Sequence, residues 1–181
     1  WAWDGYYCKW SIPAPVVIDQ NTLFLTGAYK AGSVMINVTK NGSGYGVKEV
    51  FRLKKDGAHI HAPILHGGHI YGNFNANENL GKRAEKQGLT CIDLKGNTKW
   101  KTGDKPNLNR GSVILINDYL LALDGDTGEL ILSKANASKY QEISRKKVLE
   151  GKGKNAWSPI CYSAGLLIVR DQNEMKCLKI Y

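Results

Sequence analysis

Arginine, cysteine and long apolar runs are all scarce in this chain, and each scarcity excludes something. Only five of its 25 basic residues are arginine. Arginine is the planar, bidentate reader of phosphates and base edges, whereas lysine suits wet strand edges and loops. The net charge of +9 therefore does not read as nucleic-acid recognition, and no basic motif interleaved with aromatics accompanies it. Four cysteines, none adjacent in the sequence, are too few for a disulfide scaffold. No stretch approaches the roughly 18 apolar residues that cross a bilayer as a helix. Nothing at Trp1 resembles a signal peptide, and the first residue is not Met, so the reading expects a processed or excised piece. Gly-x-Ser-x-Gly, phosphate-loop and dinucleotide fingerprints are also missing.

What is present is enough to fold. At 43% hydrophobic and 23% charged residues the chain can bury a core, and its 20 glycines supply turns. The stretch from Cys91 to Trp100 reads as a strand, a tight turn at Asp93 and Gly96, and a second strand. Its surroundings recur. Segments opening at Pro15, Pro63, Ser112 and Pro159 share one form: a small residue or proline, an apolar strand, a short polar or glycine turn, and a second apolar strand. The openings lie 48, 49 and 47 residues apart. A period of that size with about four short strands per unit predicts an all-β chain of stacked blades.

The pattern Cys91-x-Asp93-x-x-Gly96-x-x-x-Trp100, after the strand pair that opens at Ala62-Pro63, resembles the repeat of the pyrroloquinoline-quinone-type (PQQ-like) β-propellers. The family form, Ala-x-Asp-x-x-Thr-Gly-x-x-x-Trp, is a tryptophan-docking motif; this copy lacks the Thr and is one residue shorter. A second copy from Ala122 through Asp124, Thr127 and Gly128 ends in Leu132 and falls between the second and third strands of its unit, where it reads as a hairpin turn. The resemblance implies a β-propeller of about four four-stranded antiparallel blades, forming the C-terminal half of a seven- or eight-bladed ring. It also makes Cys91, Asp93, Gly96 and Trp100 the residues that dock neighbouring blades.

In chain order, residues 1–12 are an aromatic segment expected to supply a missing strand or to pack across a neighbour. Blade one covers 13–56. Blade two covers 57–105 and carries a long polar loop at 72–88. Blade three covers 106–152, and 153–181 hold a fourth blade with three strands. Each blade has two apolar faces, so four blades should close into a small ring, meet a second copy as a homodimer, or join the other half of a longer chain, which is the arrangement favoured here. Cys91 and Cys177 take equivalent third-strand positions and are expected to be buried, while Cys8 and Cys161 pair only if the chain ends meet.

Several clusters invite a chemical reading. His59-x-His61 resembles an alternate-residue metal pair, yet no acidic or Cys ligand accompanies it at recognisable spacing. Asp124, Asp126 and Glu129 read as turn caps more readily than as a calcium loop. Arg145, Lys146 and Lys147, with Lys152 and Lys154, read as a solvated face or as a dock for an acidic partner or anionic membrane surface. The loops before each first strand converge on one face, which gathers Trp10, His59, His61, Asn109, Arg110 and Trp157 as the candidate ligand or partner surface.

Enzymes of the resembled family hold PQQ over the central channel with calcium, a tryptophan floor, a vicinal disulfide and a catalytic Asp. This chain has no adjacent cysteines and no acidic residue at an identifiable channel position. The expectation is therefore no cofactor, with PQQ and calcium only if a missing half supplies their ligands. The resemblance implies a non-catalytic binding or scaffold module of the periplasm or a secreted complex, with a protein partner, like the propellers that assist outer-membrane protein assembly. Two alternatives stand beside it: half of a PQQ-dependent dehydrogenase, and a lectin-like propeller that stacks sugars on its exposed aromatics.

Overall fold

The computed structural model describes residues 1–75, 87–151 and 155–180. Among the described residues there is no helix. The first sheet is β1 (Val16–Val17), β2 (Thr22–Gly27), β3 (Gly32–Asn41) and β4 (Gly44–Leu53). The second is β5 (Ile64–His66), β6 (His69–Asn73), β7 (Leu89–Asp93) and β8 (Thr98–Lys101). The third is β9 (Val113–Ile116), β10 (Tyr119–Leu123), β11 (Glu129–Lys134) and β12 (Glu142–Lys147). The fourth has three strands, β13 (Cys161–Ser163), β14 (Leu166–Arg170) and β15 (Met175–Lys179). Every sheet is an antiparallel meander of consecutive strands. Tight turns make this possible: Gly67 and Gly68, with φ of 55° and 71°, join β5 to β6 in a two-residue loop that an L side chain would strain.

Alternation assigns each strand one row of side chains to the sheet before it and one to the sheet after it. Phe24 and Met35 face Ile70, Phe74 and Ile92, forming the core between the first two sheets. Tyr71, Leu89 and Cys91 meet Val113, Leu120, Ala122 and Ile131 between the second and third. Leu121 and Leu123 meet Leu167 and Val169 between the third and fourth. Burying one such side chain contributes about 1.5–3 kcal/mol, so each sheet depends on the next for most of its stability.

The outer strands carry a second device. Each of the three four-stranded sheets breaks register once between its third and fourth strands, beside Met35/Ile36, Cys91/Ile92 and Leu132/Ser133. The outer-strand residue just after each bulge is Phe51, Trp100 and Ser144, opposite Met35, Cys91 and Leu132 respectively. A bulge bends and twists the outer strand, which re-aims that side chain. Trp100 reaches the third sheet, where its indole Nε1 donates to the Asn136 carbonyl at 2.7 Å and its ring lies 5.6 Å from Tyr140 and 6.0 Å from Tyr71. Phe51 lies against Gly96 of the second sheet, where an added Cβ would come within 2.8 Å of the ring. Asp93 holds that turn by accepting the N–H groups of Lys95 and Asn97 on Oδ1, at 2.9 and 2.8 Å. Gly96, at φ 86°, completes it.

Residues 1–12 form no strand. They lie across the face of the first sheet that points away from the second. Tyr6 donates to the Gly32 carbonyl at 3.0 Å, and Arg52, whose guanidinium is 6.0 Å from the Tyr6 ring, donates to the Gly5 carbonyl at 2.7 Å. On that face Val34 is fully buried. The opposite end of the stack is open, with Leu166, Ile168 and Met175 exposed by 44, 41 and 69%.

One expectation is corrected by this arrangement. Cys177 is exposed, because its row of the fourth sheet faces solvent where the equivalent row of the second sheet, with Cys91, meets a neighbour. Burial pushes the Cys91 thiol up to about 11, so it packs as an un-ionised small hydrophobe. Cys8 and Cys161 are both free thiols, and Cys8 Sγ instead lies 3.7 Å from the Ala28 carbonyl. The incoming aromatic segment packs as a strap and completes no sheet. Of the long loop at 72–88, residues 76–86 lie outside the described residues, as do Lys152 and Lys154.

Trp100→Ala removes the ring that spans two sheets and is expected to cost about 3 kcal/mol in urea unfolding. Trp10→Ala, at an exposed position, should stay within about 0.5 kcal/mol of wild type.

Candidate functional site at one end of the stack

In a four-stranded meander the connections after the second and fourth strands leave from the same end. That end of the stack collects the turn at Tyr29, the loop with His59 and His61, the loop from Asn107 to Gly111, the Asp124 turn and the loop with Trp157. Local sequence shapes these loops. Asn109 and Asn155 sit at φ 45° and 52°, in the left-handed region that asparagine tolerates better than most L residues. Each places the residues after it, Arg110 and Trp157, over the end of the stack. The Leu108 carbonyl accepts from both Gly111 N (2.8 Å) and Gly125 N (3.1 Å), and Ala156 N donates to Gly125 O at 3.0 Å. These bonds join three successive loops.

Five of the six candidate residues fall into this network, four of them in one line of contacts. Arg110 Nε donates to His59 Nδ1 at 2.7 Å, which leaves the imidazole proton on Nε2, 3.2 Å from the Tyr29 hydroxyl. The Arg110 guanidinium lies 4.7 Å from the centre of the Trp157 ring. His61 Nε2 donates to the Trp157 carbonyl at 3.0 Å. Asn109 donates from its side-chain amide to Asp126. Trp10 stands apart, exposed, with the Lys9 ammonium 6.0 Å from its ring.

Residues that sequence reasoning did not single out hold these in place. Asn73 Nδ2 donates to the carbonyls of Asn109 (2.9 Å) and Gly111 (3.0 Å). Asn75 Oδ1 accepts from Gln87 N and Gly88 N at 3.1 and 2.8 Å. Tyr29 packs edge-on to His59, with ring centres 5.1 Å apart. The Asn-x-Asn spacing at 73 and 75 was the available signal, but asparagines near a glycine read as generic turn chemistry.

Electrostatics follow from burial. Both histidines are half-buried, which holds each below its usual value; the Arg110 charge adds to the effect at His59. At His61 the carbonyls of Trp157 and Arg110 partly oppose burial by favouring the protonated ring. Neutral imidazoles can sit beside a guanidinium without repulsion. Three buried side-chain atoms at this end, Trp157 Nε1, Asn107 Nδ2 and Asn109 Oδ1, carry no hydrogen bond to the protein.

The acidic side chains at this end serve their own turns. Asp124 and Asp171, 47 residues apart, each spend Oδ1 on two N–H groups of their own turns. No three His, Cys, Asp or Glu gather as a metal site among the described residues. Trp157, the ring available as a floor, is already covered by Arg110.

No protein-family profile matches the sequence. No curated protein matches it either. Among solved structures, the crystal structure of BamB from Moraxella catarrhalis superposes with a TM-score of 0.44 at 12% identity, over 97% of this chain and 60% of that one. This chain thus spans 60% of that protein's length, and a likeness this loose transfers no activity.

Both histidines should titrate with midpoints below 6.5 by NMR, and Arg110→Ala should move the His59 midpoint upward. Groups depressed in the folded state contribute stability that is complete above the unfolded value of about 6.5 and is lost as pH falls through the folded values. Urea midpoints should therefore drop between pH 7 and pH 5, and should drop less in His59→Gln.

Proposed function

We propose that the four sheets are propeller blades and that the chain is a non-catalytic binding module, mediating protein interactions in a bacterial envelope or secreted complex. One observation carries the reading. The stack is closed over by the strap at its first sheet and left open at its fourth, where Leu166, Ile168 and Met175 are exposed beside a β15 edge without a strand partner. An apolar face bordered by free backbone donors and acceptors is completed by protein, through burial and strand pairing, and offers little to a small polar substrate. The partner is another protein, the remaining blades of a ring, or a second copy. At the loop end, Arg110, His59, His61 and Trp157 are tied to one another, which suits a rigid recognition face. No helix among the described residues is long and apolar enough to cross a membrane.

Incubation with PQQ and calcium, followed by a dye-linked alcohol oxidation assay, is expected to give no turnover. A photo-crosslinking residue at Ile168 should give one discrete protein adduct in cells, lost when Met175→Asp is added. Turnover in the assay, or no protein adduct at Ile168, would overturn the reading.

A further inference from the structure

The three sheet interfaces are not alike at the bulge. The first is filled by Phe51 and the second by Trp100, each thrown forward from the outer strand. At the third, the same register position holds Ser144, too small to span the gap. A cavity of about 360 Å³ lies there, lined by Leu121, Leu132, Ser144, Lys146, Tyr162 and Ile180. The lining identifies it as the counterpart of the Trp100 socket. Leu121 and Leu132 stand in register with Tyr71 and Cys91, the residues beside Trp100. Ile180 N donates to Gly165 O at 2.8 Å, just as Ala135 N donates to Asp118 O at 2.9 Å, and Ala135 packs in the Trp100 cluster.

We propose that this hollow is a docking socket for an aromatic side chain carried by an extended acidic segment of a partner protein. The ring is specified by precedent within the molecule, since both equivalent positions hold one. The acidic character is specified by Lys146 in the wall, on the same face of its strand as Ser144. The extended form is specified by β12, which among the described residues pairs only with β11 and leaves its outer edge available for strand addition. Apart from Ser144, Lys146 and Asn117, the cavity is lined by aliphatic groups and the rings of Tyr119 and Tyr162, which favour a flat apolar guest. This inference rests on the binding-module reading and names one of its surfaces.

The probe is a capped five-residue peptide with one tryptophan flanked by acidic residues, compared with its alanine-for-tryptophan twin. The tryptophan peptide is expected to shift the methyl resonances of Leu121 and Leu132, and the twin to leave them unchanged. Lys146→Glu should weaken binding about fivefold. Ser144→Trp, which fills the socket from within, should abolish binding and raise the thermal midpoint; Ser144→Leu serves if that variant does not fold. No methyl shift in wild type, or undiminished binding to the filled variant, overturns the socket. Dye-linked turnover with peptide binding intact would sink the non-catalytic reading alone, so the two failures are separable.

Discussion

Each sheet in this molecule has apolar sides that must be removed from water, by a neighbouring sheet or, at the first sheet, by the strap of residues 1–12. That constraint governs the rest. It explains why the cores are three separate clusters strung along the chain, each shared by two neighbours, with no single centre. It also explains why outer strands bulge at one register: a flat outer strand would leave the rim of each interface open, whereas a bent one sends Phe51 or Trp100 across it. Hydrogen bonding adds direction. Trp100 Nε1 can meet the Asn136 carbonyl in only one relative placement of the sheets, so the ring fixes their angle as well as burying area.

The end of the stack that carries the candidate face is held by a different kind of force. There the bonds are polar and run across sheets, from the Tyr29 turn through His59 and Arg110 to Trp157. Depressed histidine pKa values are the electrical signature of that packing, because a half-buried ring beside a guanidinium is most stable uncharged. These side chains give the surface a fixed shape, which is what recognition of another macromolecule requires.

How much was legible in the sequence depended on the range of the interaction. Alternating strands and glycine turns are local, so the strand content of each unit could be read from the residues themselves, and Trp100 was visible because it closes a short motif. Phe51 does the equivalent work in the first sheet yet could not be read, since Lys48 to Leu53 looks like any wet outer strand and its bulge is a property of pairing. Cys177 was misjudged because its position in the repeat predicts burial only when a following sheet exists to bury it. The loops before the first strands were identifiable as converging, but the partners that fix them, Tyr29, Asn73 and Asn75, come from the connections after second strands, and no sequence spacing links the two sets.

The strap over the first sheet has one more implication. An uncovered apolar sheet face at each end of such a stack would let copies join head to tail, a heterologous mode of assembly that grows filaments unless it closes. The segment from Tyr6 to Cys8 already occupies the surface that an incoming copy would use. With that surface covered, the row of Leu166, Ile168 and Met175 on the fourth sheet is the sheet face left uncovered among the described residues.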